Sequence, residues 1–124
     1  NRLNSTWGGN LVDMVRCTAY LEIIESEDLV SKARENGNYL ASGLSTLNQN
    51  YPDLVSNVRN KGLFAAFDLP SMDIRNKTIE NIATEGALML GCGNNSIRFR
   101  PHLNISKSEI DQGISMIDKA LSKI

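Results

Sequence analysis

The sequence predicts an α+β fold: a small, mostly antiparallel sheet with helices packed on one face, preceded by long N-terminal helices. Three observations predict it. Apolar residues recur at helical spacing up to Tyr51-Pro52 and at every second residue just beyond. After that switch, pairs of short apolar runs joined by turn residues alternate with helical stretches, a pattern that suits hairpins better than parallel crossovers. The chain has 124 residues, 41% of them hydrophobic, which is enough for one core that buries about two-thirds of the unfolded surface.

The first helix is expected from about Asn10 to Ser26, on a stripe of Leu11, Met14, Val15, Leu21, Ile23 and Ile24. A break follows near Ser26-Glu27-Asp28, where Ser26 can cap a new helix and the acids favour its first turn. The second helix covers roughly Glu27 to Asn50 on Leu29, Val30, Ala33, Leu40, Leu44 and Leu47. Gly37 and Gly43 weaken it by about 1 kcal/mol each relative to Ala, which suggests close packing there. Tyr51-Pro52 ends it, since the residue before Pro is driven out of helical angles.

Alternation from Leu54 to Arg59 reads as a strand, Asn60-Lys61-Gly62 as a turn, and Leu63 to Leu69 as a second strand, apolar and so expected to be buried on both faces. Pro70 closes this hairpin. A third helix fits Asp73 to Glu85, with Asp73 as its cap, Ile74, Ile79, Ile82 and Ala83 inward, and Gly86 just past its end. Ala87 to Gly91 and Ile97 to Arg100 are short strands about a Gly93-Asn94-Asn95-Ser96 turn, stopped by Pro101. Ser106-Lys107-Ser108-Glu109 matches a capping box and opens a fourth helix, from about Lys107 to Ser122, on Ile110, Ile114, Ile117, Ala120 and Leu121. Residues 1–52 form a loop with long connecting helices, and residues 53–124 the α+β domain.

Charge narrows the function. Thirteen basic and fourteen acidic residues give a net charge of −1, and the basic residues are scattered, which argues against a nucleic-acid or anionic-membrane partner. No apolar run reaches membrane length. Cys17 and Cys92, far apart, suggest no disulfide framework and are expected as small core residues. With the single His102 they offer no metal-ligand spacing. The chain starts at Asn1, without Met, inside a motif, and is expected to be a piece of a longer protein.

Two stretches carry chemistry. Asn4, Ser5 and Thr6 supply short polar side chains, and Gly8 and Gly9 allow a tight bend directly before the first helix. Such a loop can bind an anion at a helix N-terminus, or simply cap the helix through Asn10. Arg98 and Arg100 are spaced to share one strand face, with Ile97 and Phe99 toward the core. A guanidinium there can grip a carboxylate bidentately, or belong to a solvated or salt-bridged face.

Ser5-Thr6-Trp7-Gly8-Gly9-Asn10 resembles the S-T-aromatic-G-G-N segment of class III (fold type I) pyridoxal-phosphate aminotransferases. The longer run Arg2 to Arg16 is most similar to the lysine 6-aminotransferase branch, which also shares Leu11 where most of the class has Pro. Ile97-Arg98-Phe99-Arg100-Pro101-His102-Leu103 resembles the family's I-R-x-x-P-P-L, with His102 in place of the second Pro. Asn60-Lys61-Gly62-Leu63 resembles a G-x-G-L turn and is read as architecture. The resemblance implies that Thr6, with Ser5 beside it, reaches across a homodimer interface to the other subunit's cofactor phosphate. It implies that Arg98 clamps a substrate carboxylate, that of 2-oxoglutarate or glutamate included, and that Asn4 lines the active site.

The family's Schiff-base lysine and its pyridine-contacting Asp normally lie upstream of the Thr motif. None of Lys32, Lys61, Lys77, Lys107, Lys119 and Lys123 precedes Thr6, so no catalytic residue is assigned. The expectation is the C-terminal portion of a cytoplasmic lysine 6-aminotransferase, which converts lysine and 2-oxoglutarate to 2-aminoadipate semialdehyde and glutamate, the fragment being inert alone. Ornithine or 4-aminobutyrate as donor, or a non-catalytic binding or dimerisation module, are the alternatives.

Overall fold

The computed structural model describes residues 6–124. Its elements are α1 (Leu11–Ser26), α2 (Leu29–Asn50), β1 (Ser56–Lys61), β2 (Phe64–Asp68), α3 (Met72–Thr84), β3 (Leu90–Cys92), β4 (Ser96–Phe99) and α4 (Lys107–Leu121). The sheet order is β1-β2-β4-β3, and every neighbouring pair is antiparallel. The predicted α+β class and element order are therefore found, with two local hairpins joined at the sheet centre by β2 and β4.

The first joint differs from expectation. Ser26 does not cap α2; its hydroxyl donates back to the Ile23 carbonyl at 3.3 Å. The chain instead turns at Asp28, whose φ of 49° is left-handed, and α2 begins at Leu29 without a side-chain cap. One residue in that region redirects the backbone where a cap would only have terminated it. Beyond the joint, α2 buries Leu29, Gly37, Leu40, Leu44 and Leu47, while Val30 is exposed.

Gly37 lies against the first hairpin. A Cβ there would sit 2.2 Å from the Gly62 carbonyl carbon, so helix and turn meet backbone to backbone. The turn is tighter than expected, because Asn60 and Lys61 belong to β1 and only Gly62 and Leu63 separate the strands. Gly62 has φ +57°, a conformation that glycine adopts without a Cβ penalty.

Helices cover only one face of the sheet, which corrects the expectation that β2 is buried on both. Ala65 and Phe67 are buried, Ala66 and Asp68 are half-buried, and Phe64 is exposed. The core lies under the covered face, with Leu44, Leu47, Phe67, Ile82, Ile97 and Ile117 fully enclosed. The Phe67 and Phe99 rings meet there at 6.0 Å, tilted by 43°.

Ser71, not Asp73, caps α3 by accepting from the Ile74 N–H at 3.3 Å. The helix thereby starts one residue earlier and turns Arg75, Thr78 and Ile82 inward, with Ala83 left exposed. Gly86, at φ +101°, follows its end as expected. The Ser106–Glu109 capping box is also formed: Glu109 N–H donates to Ser106 Oγ at 3.2 Å, and Ser106 N–H donates to Glu109 Oε2 at 2.8 Å.

Both cysteines are exposed, against the expectation of a core position. Cys17 lies on α1, which buries none of its residues, and Cys92 lies on the edge strand β3. Among the described residues no helix is long and apolar enough to cross a membrane.

Candidate functional site

The uncovered face of the sheet gathers the polar chemistry. Alternation along β4 sends Ile97 and Phe99 to the core and leaves Ser96 and Arg98 on the opposite face. Arg98 pairs across the strands with Ala66 on one side and Leu90 on the other. Ala66 in turn pairs with Arg59, so one row across the sheet reads Arg59, Ala66, Arg98, Leu90.

Arg98 is half-buried, and its side chain makes no hydrogen bond or ion pair among the described residues. Arg100 does not share its strand face, because β4 ends at Phe99 and the chain leaves the sheet before Pro101. Both arginines also line an open pocket of about 490 Å³ whose wall is shared with the helix-covered side through Leu40, Ile110, Ile114 and Ile117.

A second cluster lies beside Arg98, and the sequence reading missed it. Asp68 accepts from Ser96 Oγ at 2.5 Å and from Arg59 Nη1 at 2.9 Å through Oδ1, and from Asn57 Nδ2 at 2.7 Å through Oδ2. Arg59 also donates to Ser96 Oγ at 3.1 Å and to the Asn57 carbonyl at 2.8 Å. Asn57 reaches Asp68 from a left-handed φ of 48°, within a register shift between Ser56 and Arg59. Such a bulge re-aims side chains beside a site. Burial alone would raise the Asp68 pKa, but the bonds from Ser96, Asn57 and Arg59 and the Arg59 charge outweigh it and hold the carboxyl below its usual value. The available signal was one acid, Asp68, within the otherwise apolar run Leu63 to Leu69.

Thr6 is exposed in the turn over residues 6–9 that leads into α1. Gly9 takes φ +82° in that turn, and Asn10 caps α1 by accepting from Val12 N–H at 3.0 Å. The capping reading of this segment is therefore correct for Asn10 and leaves the Thr6 hydroxyl open to solvent. The other two predicted residues, Asn4 and Ser5, lie outside the described residues. The principal packing partner of α1 is α2. His102 is exposed, 2.8 Å from Asn104 Oδ1 through Nδ1 and 3.9 Å from Glu109 Oε1 through Nε2.

A sequence model of the family described as aminotransferase class III matches residues 1–121. The chain belongs to that family. It is 42% identical over 123 residues to an L-lysine-epsilon aminotransferase of Amycolatopsis lactamdurans, covering 98% of this chain and 27% of that enzyme. It is 41% identical over 102 residues to the mitochondrial 4-aminobutyrate aminotransferase of Sus scrofa, covering 82% of this chain and 20% of that enzyme. Its fold superposes on a lysine aminotransferase from M. tuberculosis with a TM-score of 0.93 and 41% identity, covering 99% of this chain and 28% of the other. The chain thus spans about a quarter of the length of the relatives it matches.

Class III aminotransferases are pyridoxal-phosphate enzymes. The aminotransferase chain suits one part of that group. An exposed hydroxyl, Thr6, in a turn ahead of a helix is chemically apt for its phosphate. All six lysines are exposed; Lys107 donates to Glu35 at 2.8 Å, and Lys123 is paired with Glu85.

Proposed function

We propose that this class III aminotransferase chain is part of an L-lysine 6-aminotransferase, in which Arg98 holds a carboxylate of 2-oxoglutarate or glutamate. The observation that carries the reading is the Arg98 guanidinium, half-buried on the open sheet face with no partner among the described residues. A partly desolvated cation without a counter-charge gains from an anion, and a carboxylate matches its fork with two parallel hydrogen bonds. Arg98 orients the substrate and breaks no bond.

Thr6, with Ser5, holds the phosphate of the other subunit's cofactor in a homodimer, and Asn4 lines the substrate site. Bound pyridoxal phosphate supplies the electron sink through which an amino group is moved. Residues 1–52 carry the phosphate loop and connecting helices, and residues 53–124 the carboxylate clamp. Lysine as donor is supported by relatives of that name at 40–42% identity. The exposed, unpaired thiols of Cys17 and Cys92 suit a reducing, cytoplasmic setting. The chain alone has no transaminase activity in this reading, because no lysine is placed to hold the cofactor.

A second reading, 4-aminobutyrate as donor, is favoured by the 41% identity to the Sus scrofa enzyme. Both are tested in the full-length enzyme by following glutamate formation from 2-oxoglutarate with either donor. Arg98→Ala should weaken 2-oxoglutarate by about 2–3 kcal/mol, a roughly 30- to 150-fold rise in KM. An unchanged KM would remove the clamp. Turnover with 4-aminobutyrate but not lysine would keep the clamp and overturn the donor.

A further inference from the structure

Arg98 is not the only arginine in its row. Arg59 stands two strands away on the same sheet face, and Asp68 is the carboxylate within their shared neighbourhood. Asp68 pairs directly with Ser96, and Arg98 follows Ser96 by two residues on β4, so Asp68 and Arg98 are diagonal neighbours. Diagonal positions lie about 7–8 Å apart, within reach of a long side chain. A carboxylate so placed is an internal rival for any anion that Arg98 is to bind.

The rival is fully engaged elsewhere. Both Asp68 oxygens are occupied, Oδ1 by Arg59 and Ser96 and Oδ2 by Asn57. Arg59 is held in turn by the Asn57 carbonyl and Ser96 Oγ, so it cannot swing away without breaking several bonds. The Asn57 bulge supplies two of these contacts and would be lost from a regular strand.

We propose that Arg59, with Asn57 and Ser96, sequesters Asp68 and so keeps the Arg98 guanidinium open for a substrate carboxylate. Arg59 is then a positioning residue for the carboxylate site, not a second binding residue. The inference rests on the reading of Arg98 as that site and adds a reason why it stands free beside an acid.

The test uses the full-length enzyme. Arg59→Met removes the competing guanidinium and keeps an apolar stem at a partly exposed position. Asp68 should then turn to Arg98, raising the KM for 2-oxoglutarate roughly fivefold, the scale of a partly exposed ion pair, with kcat within about twofold. Calorimetry with glutarate, a dicarboxylate without the keto group, should show the same weakening. The double variant Arg59→Met/Asp68→Asn should regain the wild-type KM and glutarate affinity, which a purely structural loss would not. The proposal is overturned if Arg59→Met leaves both values unchanged while Arg98→Ala raises KM, or if the double variant is as impaired as the single. An unchanged KM in Arg98→Ala would instead remove the reading beneath it.

Discussion

At the scale of single residues, Asp68 is the group whose ionisation matters most to the sheet. Its folded pKa lies below the ordinary value of 3.8, so its contribution to stability is complete above that range. The contribution is lost as pH falls through the depressed folded value. In Tm measurements between about pH 2 and 6, the gap between wild type and Asp68→Asn should therefore be widest near pH 6 and close toward pH 2. Little of this was legible beforehand. Arg98 could be found from its own strand and motif, because alternation over a few residues fixes its face. The partners of Asp68 lie 9, 11 and 28 residues away. Only the strand register and the left-handed Asn57 bring them together.

At the scale of elements, the helices were the more readable part, since a long stripe at helical period outweighs any one residue. Their starts were legible where a side chain makes the cap and not where the backbone does. Ser106 and Glu109 announced α4, whereas the left-handed Asp28 that opens α2 leaves no composition signal. The Glu109 carboxyl is held below its usual value chiefly by the Ser106 backbone N–H, with the Ser106 hydroxyl adding to it. Ser106→Ala should cost about 1 kcal/mol of stability, read from chemical denaturation with an unchanged m-value. The strands were placed less well because they are short, and a two-residue turn at Gly62-Leu63 shifts every boundary around it.

For the whole molecule, the one-sided sheet divides the chain into a packed layer and two open faces. Leu44 is fully enclosed, while Val15 on α1 is 71% exposed. Leu44→Ala should therefore cost about 2–5 kcal/mol in the chain, whereas Val15→Ala should change stability by less than about 0.5 kcal/mol. Hydrogen exchange should agree, with α1 amides exchanging well before those of α2 and α4. The covered face was predictable from apolar counts. The bare one was not, because Leu63 to Leu69 reads as apolar but for Asp68, and only the three-dimensional order of layers shows which side stays open.

Where α2 crosses the first hairpin, Gly37 and Gly62 touch with no side chain between them. Side chains in a core can change rotamer when a neighbour grows; two backbones cannot. This crossing is a fixed pivot toward which the helix cannot sink, and Asn60 fastens it by donating to the Gly37 carbonyl at 3.2 Å. Substitution here should consequently be all-or-nothing rather than graded by size. In a library randomised at position 37 and selected for folded protein, glycine alone should survive. Recovery of alanine would show that the pivot can slide.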